Sequence, residues 1–133
     1  MDMKKGVDLV KKAVQDFELA RKYRDAKEYI TASILYRTAT EKVLKALYQY
    51  RKNKNPPSNA TIEYLAEQTM LPSSIYEDIV AMPDERTEMM EEESLMEYDE
   101  VESTRRAVAS EYHSTLMKHE LVRRLLDYAE ANV

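Results

Sequence analysis

Glycine occurs once in this chain of 133 residues, at Gly6. Tight hairpins and glycine-cradled phosphate loops both place residues at positive φ, where glycine alone sits freely. A β-rich fold, a Walker loop and a dinucleotide-binding glycine fingerprint are therefore all but excluded. Cysteine is absent, which removes disulfides, zinc–thiolate sites and a cysteine nucleophile. There are two histidines, His113 and His119. The residues three before them are Ser110 and Leu116, so no Glu-x-x-His pair exists for di-iron ligation. Glu91, Glu92 and Glu93 are consecutive and cannot all face one ion from a helix. No metal and no cofactor is expected.

With 44% apolar and 34% charged residues, the chain has material for one core and one soluble surface, so a single domain over 1–133 is expected. No apolar run approaches the roughly 20 residues that span a bilayer, and no signal peptide is visible. The expectation is a cytoplasmic protein without membrane contact. The net charge of −5 is uneven: from Asp84 to Glu102, ten carboxylates stand against one base, Arg86, giving −9 there and +4 elsewhere. Such a stretch reads as a solvated face or mobile connection, or, more sharply, as a segment that docks on a basic surface.

Val7, Val10, Val14 and Phe17, with Ala13 and Ala20 beside them, predict an amphipathic helix over about 3–23. A break follows near Arg24–Lys27, where Asp25 is placed to cap a second helix. That helix is expected from about Ala26 to Lys52. One stripe holds Ala32, Leu35, Tyr36, Ala39, Val43, Ala46, Leu47 and Tyr50; a second apolar group, Ile30, Ile34, Leu44 and Tyr48, lies on the far side with Arg37 and Glu41 spaced to pair. Two apolar faces suit a helix at the centre of a bundle, or one that contacts a second copy of itself. Residues 53–59 (NKNPPSN) form a loop. Thr61–Met70 reads as a short helix. Ser73 or Ser74 is placed to cap another, which runs to about Ala81 before Pro83. From about Glu102 to Asn132, Val101, Val108, Thr115, Val122 and Ala129 recur every seven residues, joined by Tyr112, His119 and Leu126. The fold class is all-α: an up-and-down bundle with two long N-terminal helices, two short helices and a long C-terminal helix.

His119 lies on the core stripe and reads as a buried or half-buried structural histidine. His113 lies off it. Arg106 is seven residues earlier, so the two fall within roughly 20° around a helix and about 10 Å apart along it. An arginine clamps phosphate through its planar fork, and a histidine titrating near neutrality can move the 2′-OH or leaving-group proton. Arg106 and His113 are thus the candidate catalytic pair for metal-free phosphodiester chemistry. A solvated helix face is the ordinary alternative. The ten tyrosines suit packing with satisfied hydroxyls, or stacking on bases.

The stretch Phe17–Tyr50, with Glu41-Lys42-Val43-Leu44-Lys45-Ala46-Leu47 followed by the Pro56-Pro57 loop and a short helix holding Ile62 and Leu65, resembles the first helix pair of HEPN domains. The resemblance implies a four- or five-helix bundle that often dimerises. Many members are metal-independent ribonucleases of toxin–antitoxin type with an Arg-x4–6-His motif near the last long helix. Others bind nucleotides, RNA or a partner protein, often a small nucleotidyltransferase. Arg106-x6-His113 matches the loosest spacing. The family carries a polar residue after the arginine, where this chain has Ala107; that departure and the preceding acidic run favour binding over cleavage. Ala26–Ala46 also resembles, more distantly, the helix pairs of MIT and tetratricopeptide modules, but no repeat at a fixed period follows.

Overall fold

The computed structural model describes the backbone of residues 3–81 and 100–132 and the side chains of 7–81 and 115–132. Within those residues the chain is helical, with no strand. The helices are α1 (Met3–Asp25), α2 (Tyr29–Lys52), α3 (Ile62–Gln68), α4 (Ser73–Val80) and α5 (Glu100–Asn132). The all-α bundle expected from the apolar spacing is thus observed. The acidic residues Asp84 to Asp99 lie outside the described residues. No described helix is long and apolar enough to cross a membrane.

Side chains from all five helices meet in one core. Its centre is α2, which packs on α1, α3 and α5. The α1–α2 hairpin is the most extensive pair, and its seam is made of alanine. Ala13 and Ala20 on α1, and Ala32, Ala39 and Ala46 on α2, are all fully buried and recur every seven residues. Gly6 continues the α1 series one heptad earlier. Phe17 touches Tyr36 across the hairpin, which puts Ala20 close to the level of Ala32 and Ala13 close to that of Ala39. Methyl-sized residues at the seam let two helix backbones approach closely, and alanine is also the best helix former. Lys42 bridges to Asp16 across the hairpin. Helix α5 runs parallel to α2, since His119 meets Tyr36 and Tyr128 meets Arg51. Near the α5 C-terminus the Arg51 guanidinium also lies 5.9 Å from the Tyr128 ring centroid.

Two caps differ from the sequence reading. Asp25 ends α1 rather than capping α2; Lys27, at φ 64°, makes the turn, and Glu28 precedes α2 without a side-chain cap. The backbone closes this corner instead, through Glu28 N–H to the Tyr23 carbonyl at 2.9 Å. Neither Ser73 nor Ser74 caps α4: Pro72 is the N-cap, and its carbonyl accepts from Ile75 and Tyr76. The serines occupy the first turn, where the fixed φ of Pro72 has already set the chain's entry. By contrast Thr61 caps α3, its hydroxyl accepting from Tyr64 N–H at 3.0 Å. Asn53 closes α2 in the left-handed region, a conformation asparagine tolerates.

The α2 stripe is buried at Ala32, Tyr36, Ala39, Val43, Ala46 and Leu47, while Tyr50 is exposed. On the far side Leu44 and Tyr48 are buried, Tyr48 lying against Tyr64 of α3, but Ile30 and Ile34 are exposed. Arg37 and Glu41 form no ion pair with each other among the described residues.

Candidate functional site

The backbone of α5 is continuous through residues 106 and 113. The seven-residue spacing therefore does place Arg106 and His113 two turns apart on one rod. Their side chains lie outside the described residues, as do those of Val101, Val108 and Tyr112.

The other histidine is fully placed, and its surroundings are built. His119 is half-buried where α1, α2 and α5 meet. Its ring stacks on Phe17 with centroids 4.6 Å apart and meets the Tyr36 ring edge-on at 5.6 Å. Its Nδ1 lies 2.9 Å from the Tyr36 hydroxyl. Tyr36 itself is fully buried. Burial pushes its phenol up to about 12, against the opposing pull of Arg24, so the hydroxyl keeps its proton. The hydroxyl and Nδ1 share one hydrogen bond, whose direction follows from the imidazole tautomer.

Burial and the positive charges of Arg24, Arg21 and Arg123 hold the His119 imidazole below its ordinary 6.5, against a smaller opposing effect of Glu120. Chemically, then, this cluster holds three helices together. It is not a free base. The sequence expectation of a structural histidine on the core stripe agrees with this geometry. What spacing alone does not reveal is the partner, 83 residues away at Tyr36.

The shift has a consequence for folding. Because the folded-state value lies below the unfolded one, the unfolded chain binds more protons as pH drops below about 6.5. The contribution of His119 is complete above that value and is lost as pH falls toward the folded-state value. The melting temperature of the wild-type protein, followed from pH 8 to pH 5, is expected to fall more steeply than that of His119→Phe. Parallel curves would show that the imidazole does not couple to folding.

The arginines around this cluster are themselves paired. Arg21 meets Glu18 at 3.1 Å, Arg24 meets Asp25 at 3.2 Å, and Arg123 meets Glu120 at 2.8 Å and Asp127 at 3.7 Å. Arg124 joins α5 to α4 through Asp78. Among the described residues no group of three or more His, Cys, Asp or Glu side chains could hold a metal ion. Comparison with known proteins found no match among protein families, curated proteins or solved structures.

Proposed function

We propose that the chain is a HEPN-like helical module that works as a homodimer and binds RNA or a nucleotide through the first half of α5. What supports this reading is the continuity of α5 through Arg106 and His113, which keeps an arginine and a titratable imidazole at a spacing of two helical turns. The layout supports it too: a long hairpin carrying Glu41-Lys42-Val43-Leu44-Lys45-Ala46-Leu47, two short helices, then a long final helix. Arg106 supplies charge to a phosphate and His113 a hydrogen bond. Ala107 offers no polar group beside the arginine, and His119 is committed to Tyr36. Binding is therefore favoured over cleavage.

The test pairs two measurements on the full chain. Fluorescence anisotropy with a single-stranded RNA is expected to show salt-dependent binding, weakened about tenfold by Arg106→Ala. Incubation of the same RNA in EDTA is expected to leave it intact. Cleavage to 2′,3′-cyclic phosphate ends that disappears in His113→Ala would establish the alternative, a metal-independent ribonuclease with Arg106 as clamp and His113 as acid and base. No binding of RNA or of nucleotides would overturn the reading altogether.

A further inference from the structure

Between Glu41 and Glu63 the chain carries five bases, Lys42, Lys45, Arg51, Lys52 and Lys54, and no acid. Two of them are engaged, Lys42 with Asp16 and Arg51 with Tyr128. Lys45, Lys52 and Lys54 form no ion pair among the described residues, and Lys52 and Lys54 are exposed. Tyr48 follows Lys45 by three residues and Lys52 follows Tyr48 by four, so the three share one face of α2.

On that face α3 packs against α2. Tyr48 is buried, and Tyr64 of α3 lies against it with ring centroids 6.4 Å apart. Tyr64 itself is 37% exposed, so its ring is backed by a buried ring and still meets solvent. Hydrogen bonding with Tyr48 pushes its phenol up, against the opposing pull of Lys54 and Lys52. The two lysines and the ring thus belong to one patch.

Such a patch suits a ligand that offers a flat π face and repeated negative charge. An acidic peptide supplies the charge alone. A single nucleic-acid strand supplies both in alternation, base and phosphate. We propose that this α2–α3 end of the bundle binds single-stranded nucleic acid, one base stacking on Tyr64 while Lys52 and Lys54 meet the flanking phosphates. Lys45 extends the positive face back along α2. Lysine acts as a point charge and a ring stacks on any base, so binding is indifferent to sequence and takes DNA and RNA alike. The patch shares no residue with Arg106 and His113, so the inference goes beyond the function proposed above and does not depend on it.

Fluorescence anisotropy of the full chain with an oligothymidylate of about ten nucleotides, and with its RNA counterpart, tests this. Both are expected to bind, with affinities within about threefold of each other. Lys52→Ala/Lys54→Ala is expected to weaken both about tenfold and to flatten the plot of log affinity against log salt by about 1.4, two phosphate contacts at roughly 0.7 each. Tyr64→Ala is expected to weaken both about tenfold with the salt slope unchanged, and Tyr64→Phe to bind as wild type does. Circular dichroism checks helicity; should Tyr64→Ala fail to fold, the exposed lysine pair still decides. No binding of the DNA strand, or binding indifferent to the lysine variant, overturns this inference and leaves the α5 site standing. Poly-glutamate competing as well as an unlabelled strand also overturns it, because the patch would then read charge alone. RNA binding that survives Arg106→Ala but falls in the lysine variant has the opposite meaning: the α5 reading fails and this one holds.

Discussion

Tyr36→Ala is expected to lower stability by about 3–5 kcal/mol, the range for removing a large buried ring. For a chain of this length that corresponds to a melting point lower by roughly 10–20 °C. The residue is fully buried and joins three helices at once: its ring meets Phe17 of α1 edge-on at 5.9 Å, its hydroxyl holds His119 of α5, and its backbone belongs to α2. Tyr36→Phe separates the two contributions. The ring stays, but Nδ1 of a half-buried imidazole loses its hydrogen-bond partner, which costs about 1–3 kcal/mol. Denaturant unfolding of both variants, with unchanged slope, checks the division. A phenylalanine variant as stable as wild type would mean that the hydroxyl bond contributes nothing net.

Ala39→Leu is expected to cost about 1–3 kcal/mol or more, because the alanine seam has no room for an isobutyl group. Ala39 is fully buried, and so is Ala13 on the facing helix of the hairpin. Ala39→Gly is the control. It keeps the close approach and is expected to lose only about 1 kcal/mol, the difference in helix propensity. A leucine variant less damaged than the glycine variant would show that α1 and α2 are not closely apposed at this level. Thermal unfolding followed at 222 nm reads both.

Why the fold was so legible in the residues is clear from where glycine and proline fall. A single glycine and three proline-bearing breaks leave uninterrupted helical periods, and each of the five observed helices follows one of them. The caps were less legible. Asp25, Ser73 and Ser74 have the chemistry of N-caps, but Lys27 in the left-handed region and Pro72 at the entry to α4 set the chain direction first. The stripes were read longer than their partners can cover, so Tyr50, Ile30 and Ile34 reach solvent. The alanine series stands in the sequence at a seven-residue spacing but was not singled out there, because its members look unremarkable one at a time among larger apolar neighbours. The tie between Tyr36 and His119 was not legible at all, since periodicity assigns a residue to a face and says nothing of which distant face it meets. For Arg106 and His113, the spacing and the continuous backbone are in hand, and the role rests on the RNA experiment.

An alanine track graded in equal steps of seven reads almost the same if one rod slides past the other by a whole step. The methyl groups alone would tolerate such a slip. What marks the zero of the scale is the Phe17–Tyr36–His119 stack, which among the described residues has no second copy along the track, together with the Lys42–Asp16 bridge. Variants that erase this mark should therefore produce not only a looser protein but a hairpin that settles in more than one alignment, visible as doubled resonances for the alanine methyls.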